Sequence, residues 1–238
     1  MGKTKRRPTN KKRIEDVPLY TLWDTARNLH LSVAAVARLT GSVLPDSYWI
    51  SRSWPEDDDD PEIETQLSFQ GLVEIFLNSC LLRMLAPSQS AKNHRAFWSA
   101  LKVSSRGSAS SPSGIAKKSL DLVASSSDEG FVSEVRSSLK LYLSRVESVG
   151  GRPRRLFPFT RNPSQSAPRT IAIDPRMRFG QPATANRGIP TDSIIDRYRG
   201  GDSVKFLAED YDLTTEEIEE AIRYESLPLL HLSPFGGS

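Results

Sequence analysis

The residue types from which catalysis is built are present but scattered. Histidines stand at positions 30, 94 and 231, the one cysteine is Cys80, and thirteen serines fall between Ser88 and Ser127. A covalent mechanism needs a hydroxyl or thiol within reach of a base that a third group orients, and no spacing here suggests such a set. The histidines and Cys80 lie too far apart in sequence to read as a metal-ligand cluster. The densest carboxylate run is PEDDDDPE at 55–62, six acids in eight residues. It has neither the glycine nor the distant glutamate of a calcium loop and reads as a solvated linker. No Gly-rich phosphate loop follows a strand. The expectation is a chain with no catalytic residues, no metal and no cofactor, whose chemistry is recognition.

Recognition is set by where the charge lies. The 238 residues carry a net charge of only +3, with 37% apolar and 26% charged residues. That balance hides blocks of opposite sign. Residues 1–13 hold seven Lys/Arg and no acid, 14–66 hold eleven acids against three bases, 151–170 hold five bases and no acid, and 171–225 are acidic again. A basic arm points to a polyanion and acidic faces point to a basic partner. The opening MGKTKRRPTNKKR has no apolar core and is read as a disordered arm over 1–18, not a secretory signal. Arg6 stands where a myristoylation motif needs Ser or Thr. One cysteine admits no intramolecular disulfide, which fits a reducing, cytoplasmic setting.

Elements that must position these charges follow from caps and periodicity. Thr21 can cap a helix through Leu22, Ala26 and Leu29, and Ser32 a second through Val33, Val36 and Leu39, with His30 at the turn where Gly is usual. The pair suggests a helix-turn-helix whose second helix turns Ser32, Ala34, Ala35 and Arg38 toward a major groove. From Ser68 an apolar helix runs to about residue 86, interrupted by Glu74, Asn78 and Arg83 and so too polar to span a bilayer. It is read as a core helix that also offers a dimer contact. The Ser-rich stretch 88–127 is expected to be loose, with short helical pieces near 96–101 and 115–123. Phe131, Val135, Leu139, Tyr142 and Val146 then mark a clear helix, closed by Gly150-Gly151 and Pro153.

Arg152, Arg154 and Arg155 precede LFPF, which with TIAI at 170–173 is expected to form a small β hairpin whose basic flank contacts phosphates. Three capped helices follow: from Thr191 to Gly200, from Asp202 or Ser203, and from Thr214, whose Glu217 completes a capping box. The fold class is therefore mainly α. A helical, helix-turn-helix-like N-terminal domain (19–150) is followed by a three-helix helix-turn-helix bundle with a short β hairpin (151–225) and an apolar tail (226–238).

Positions 171–225, from Ile171-Ala172-Ile173-Asp174-Pro175 through Gly188-Ile189-Pro190, Gly201-Asp202-Ser203, Asp210-Tyr211-Asp212-Leu213 and Ala221-Ile222-Arg223-Tyr224-Glu225, resemble the small domain of unknown function numbered 433. Chains joining that domain to an upstream MerR-like helix-turn-helix resemble VapB-type antitoxins, which are paired with a PIN-domain ribonuclease toxin. The segments at 19–39 and 67–76 and RRLFPFTR fit this longer architecture.

The resemblance implies an antitoxin that silences a PIN-domain toxin and represses its own operon by binding operator DNA. The competing reading is a free-standing DNA-binding regulator. DNA contact is assigned to Lys3, Lys5, Arg6, Arg7, Lys11, Lys12 and Arg13, to the helix face above, and to Arg152, Arg154 and Arg155. The third C-terminal helix is too acidic to lie on phosphates, so Glu216, Glu217 and Glu220 are assigned to a basic toxin surface. Leu227, Leu229, Leu230, Leu232 and Phe235 form an apolar extension that either enters a partner groove or folds back on its own bundle; the toxin reading takes the first. A PIN active site resembles a cluster of metal-binding carboxylates, into which a guanidinium would fit; Arg178, Arg187 and Arg223 are equal candidates.

Overall fold

The computed structural model describes residues 13–43, 49–53, 63–85, 111–124 and 129–229. In chain order the elements are β1 (Pro18–Thr21), α1 (Leu22–Leu29), α2 (Val33–Val43), β2 (Trp49–Ser53), β3 (Ile63–Ser68), α3 (Phe69–Leu85), α4 (Pro112–Ala124), α5 (Glu129–Leu143), β4 (Val146–Val149), β5 (Arg152–Leu156), β6 (Ile171–Ala172), β7 (Ala183–Thr184), α6 (Thr191–Arg199), α7 (Val204–Tyr211) and α8 (Thr215–Glu225). The described chain is mainly helical, with small antiparallel strand sets.

Local chemistry explains the helix ends. Thr21 and Asp24 form a reciprocal capping box on α1, and Thr214 and Glu217 do the same on α8, each satisfying two otherwise orphaned N–H groups. Ser32 accepts from the Ala35 amide at 3.3 Å and Ser68 from the Gly71 amide at 3.2 Å, so α2 and α3 start where their hydroxyls stand. α1 stops at His30, which takes the left-handed backbone at φ 51°. A non-glycine residue there costs roughly 1–2 kcal/mol. Its ring packs edge-on against Tyr224 at 4.5 Å, a contact that offsets part of that cost.

The sheet of β1, β3 and β2 was not expected from the sequence. β3 lies centrally, antiparallel to both neighbours, with Leu67 opposite Tyr20 on one side and Trp49 on the other. Behind it α3 is the central core helix: every residue from Phe69 to Ser79 is buried. Two of its polar members bond along their own helix, Asn78 to the Glu74 carbonyl at 2.9 Å and Ser79 to the Phe76 carbonyl at 2.8 Å, and so tolerate the core. This stretch is covered by α2, α5 and β5 of the same chain, which leaves 69–79 no face for a dimer. Side chains from Cys80 to Leu85 lie outside the described set.

The stripe of α5 buries Val135, Leu139 and Tyr142 as expected, but the helix ends at Leu143 and Val146 enters β4. The chain turns at Gly150-Gly151, both at positive φ, into β5. The expected change of domain at 151 thus falls inside a hairpin whose second strand delivers Leu156 to the N-terminal core. LFPF and TIAI meet only at the Leu156–Ile173 bridge, because β5 already pairs with β4 and β6 pairs with β7. Within the Ser-rich stretch α4 occupies 112–124, and the piece near 96–101 lies outside the described residues. The second core, of Ile171, Ile194, Leu207, Ala208, Ile218, Ala221 and Tyr224, belongs to the α6–α8 bundle.

Candidate functional site

Two features stand out where the N-terminal core meets the α6–α8 bundle: a projecting turn after β6, and a cleft along the seam. The turn is built on Asp174, whose side chain is buried. It accepts from the Arg176 amide at 3.0 Å and the Arg176 Nε at 2.8 Å, and pairs with Arg155 at 3.4 Å. From that footing the chain makes a short 3-10 turn at Arg178–Gly180. Three consecutive residues hold positive φ: Arg178 at 49°, Phe179 at 55° and Gly180 at 78°. Gly180 is required there, since a Cβ would sit 2.0 Å from the Tyr20 hydroxyl. Phe179 projects into solvent with 87% of its surface exposed. Arg178 is exposed beside it and has no carboxylate partner among the described residues. An arginine and an aromatic ring held out on strained backbone are a ready contact pair.

The seam is joined by Tyr224, fully buried in α8, which donates its hydroxyl to the Asn28 carbonyl at 2.9 Å. Burial holds its phenol well above the usual tyrosine range, with Glu225 adding to the effect, so it remains a donor. Glu225 accepts from Thr191 and pairs with Arg27 at 3.3 Å, tying α8 to α6 and α1.

Beside the seam lies a cleft of about 560 Å³. Its aromatic side is Phe76, Tyr142 and Phe159, with ring centroids 5.0–6.2 Å apart. Its polar side is the loop after β5 facing α8. There Glu220, 0% exposed, accepts from Thr160, from Arg161 and from Arg223 Nε at 3.2 Å. Burial pushes the Glu220 carboxyl upward, but the Arg161 and Thr160 hydrogen bonds and the Arg161 charge outweigh it and leave the carboxyl below its ordinary value. The loop takes its shape from Arg145, which donates to the carbonyls of Phe157 (2.8 Å), Pro158 (3.1 Å), Ala167 (2.9 Å) and Pro168 (2.6 Å). Its guanidinium lies 4.7 Å from the Phe159 centroid. Burial, with repulsion from Arg169, lowers its pKa to about 10, so it stays charged at neutral pH.

Several assigned residues stand elsewhere than expected. Glu220 faces inward and is neutralised within the chain, so it cannot meet a toxin; the acidic surface of α8 is Glu216 and Glu219. Glu217 is occupied by its capping box and by Asn186 at 2.8 Å. Ala35 is buried, because α2 turns Ala35, Val36 and Leu39 inward together and leaves Ala34 and Ala37 outside. Ser32 is engaged in its cap and Arg38 is half-buried. Arg152 is paired with Asp16 at 3.0 Å and Arg155 with Asp174, which leaves Arg154 exposed on β5. Of the three candidate arginines, Arg187 is paired with Asp212 and Arg223 with Glu220. Leu227 lines the cleft and Leu229 is exposed, whereas Leu230, Leu232 and Phe235 lie outside the described residues, as do Lys3, Lys5, Arg6, Arg7, Lys11 and Lys12. Arg13 is exposed at the start of the described chain.

Phe179, Thr160, Arg161 and Arg145 were not singled out from sequence. Arg145 and Arg161 reach partners 12 to 59 residues away, a relation that no local pattern records. Phe179 carried the one usable signal, an aromatic residue before Gly180 in a turn-rich loop. Among the described residues no group of three or more His, Cys, Asp or Glu could hold a metal ion, and no helix is long and apolar enough to cross a membrane.

Residues 171–224 match the family described as "Protein of unknown function (DUF433)". No curated protein matches the chain. Among solved structures, the X-ray crystal structure of Rv2018 from Mycobacterium tuberculosis is similar at 18% sequence identity with a TM-score of 0.57, over 87% of this chain and 98% of that chain. This likeness is one of fold. The C-terminal segment of this chain is thus similar to DUF433 proteins, within a mainly α-helical chain that shares the overall fold of Rv2018.

Proposed function

We propose that this chain is a non-enzymatic, cytoplasmic antitoxin that binds and blocks a PIN-domain ribonuclease and represses its own operon by DNA binding. The observation that carries the reading is the Arg178–Phe179 turn, a guanidinium with no described carboxylate partner beside an aromatic ring that is 87% exposed. Arg187 and Arg223 are already paired with acids of this chain, so Arg178 is the arginine left to enter a carboxylate-lined active site. Phe179 supplies the adjoining apolar anchor. The exposed Glu216 and Glu219 then face the basic surface that a ribonuclease presents to RNA, and the apolar tail from Leu227 onward extends the contact.

For DNA, α1 and α2 with the following β2–β3 pair have the connectivity of a winged helix-turn-helix. The segment joining β2 to β3 holds the six acids of 55–62, and α2 offers mainly alanine outward. Both features weaken phosphate contact there, so operator binding rests chiefly on the basic arm and Arg154. The test is co-expression with a PIN-domain protein from the adjacent reading frame, followed by purification and RNA cleavage with and without this chain. A stable complex with suppressed cleavage is expected. No complex and unchanged cleavage would overturn the antitoxin reading in favour of a free-standing DNA-binding regulator.

A further inference from the structure

The cleft beside the seam has the make-up of a small-molecule site. Its volume of about 560 Å³ is within the usual range for ligand pockets, which form preferentially where two structural units meet. Its aromatic side, where Phe76, Tyr142 and Phe159 pack on one another, is an apolar wall against which a flat ring can lie.

The polar side is unbalanced in charge. Arg161 and Arg223 share one carboxylate, Glu220. Behind Phe159 stands the Arg145 guanidinium, 2% exposed, whose described hydrogen bonds all go to backbone carbonyls. Arg161 and Arg223 are each about half-exposed, and Glu216 and Glu219 also act on Arg161, so the anion preference of the cleft rests on the unused donors of these two guanidinium groups and not on weak screening.

Donor geometry is available as well. Among the described residues Arg223 uses only its Nε–H, on Glu220, which leaves both terminal amino groups as a fork matched to a carboxylate, sulfonate or phosphate. Arg161 uses Nε and Nη2, which leaves Nη1. Asn162 offers an amide on the same wall.

We propose that this cleft binds a small anionic ligand with a flat aromatic body, its acidic group on Arg223 and Arg161 and its ring against Phe76 and Phe159. The site is separate from the turn at 178–180 and shares only Leu227 with the toxin contact proposed above. A ligand seated here touches His30 at the end of α1 and Leu227 beyond the end of α8, and so bridges the two units.

The probe is 8-anilinonaphthalene-1-sulfonate, followed by fluorescence on the full-length protein, with N-phenyl-1-naphthylamine as its uncharged counterpart. Saturable one-to-one binding of the sulfonate is expected, about tenfold or more tighter than the neutral amine. Arg223→Gln should remove that preference and leave the amine unchanged, whereas Arg199→Gln, on exposed surface outside the cleft, should change neither. Leu227→Trp, which places an indole at the rim, should weaken both; far-UV circular dichroism confirms that each variant is folded. This variant decides the matter if Arg223→Gln does not fold. Absence of saturable binding, or binding unaltered in Leu227→Trp and Arg223→Gln, would overturn the proposal. Binding seen only after removal of residues 230–238 would assign the cleft to the chain's own tail and also overturn it.

Discussion

The Tyr224 hydroxyl donates to the Asn28 carbonyl at 2.9 Å across 196 residues of sequence, joining the last helix of the C-terminal bundle to the end of α1. The His30 ring packs on the same tyrosine and Arg27 pairs with the neighbouring Glu225, so three contacts from the last turn of α1 and its cap lock one unit to the other. Replacing Tyr224 by Phe removes the donor and leaves a buried carbonyl unpaired. A loss of about 1–2 kcal/mol is expected, read as a lower urea midpoint with an unchanged slope.

Alkaline pH should act through the same residue and through Tyr20. Burial holds both phenols above their ordinary value of 10, with Asp174 and Asp24 adding to the effect at Tyr20. Between the ordinary and the raised value the folded chain keeps protons that the unfolded chain has released. Stability is therefore complete below pH 10 and falls as pH rises beyond it. Tyr20→Phe should flatten that decline, as measured by thermal melts from pH 8 to 11; a decline unchanged by the substitution would contradict the assignment.

Glu220 works in the opposite direction. Its carboxyl lies below the ordinary 4.5 in the folded chain, so its contribution is present above pH 4.5 and is lost as pH falls through the lower folded value. Glu220→Gln should cost about 1 kcal/mol at neutral pH, limited by solvent screening of the half-exposed guanidinium groups. It should also flatten the acid limb of stability. An acid limb identical to that of the wild type would show that other carboxylates set it.

Much of the helical framework was legible in the sequence because caps and periodicity are local. Thr21, Ser32, Ser68 and Thr214 each begin a helix as their side chains predict, and of Asp202 and Ser203 it is Ser203 that caps α7. The three-stranded sheet was not, although Ile63, Thr65 and Leu67 alternate with polar residues. A six-residue strand next to an acidic run gives a weak pattern, and pairing with β1 across more than forty residues is invisible locally. The site followed the same division. Arg178 was one of three equal candidates for a guanidinium among carboxylates, and nothing in the sequence separated it from Arg187 and Arg223, whose partners Asp212 and Glu220 are set by the fold. Glu220 looked like surface because its neighbours in α8 are acidic, and the approach of Thr160 and Arg161 from another loop, together with Arg223, makes its burial tolerable.

DNA affinity should depend on the arm. Neutralising Lys3, Lys5, Arg6, Arg7, Lys11, Lys12 and Arg13 together should weaken binding and flatten its dependence on salt, since fewer counterions are released. Neutralising Arg152, which is held by Asp16, should have much less effect. Filter binding or fluorescence anisotropy across a salt series measures both, and an unchanged salt slope in the arm variant would sink the assignment.

The most direct measurement is RNA cleavage by the PIN-domain partner titrated with wild-type chain, Arg178→Ala and Phe179→Ala. Both residues are exposed and neither contributes to a core, so folding and urea midpoint should be retained. The account predicts that each substitution weakens inhibition by about tenfold or more, while Arg187→Ala, already satisfied by Asp212, has a smaller effect. Full inhibition by the Arg178→Ala and Phe179→Ala chains would contradict it.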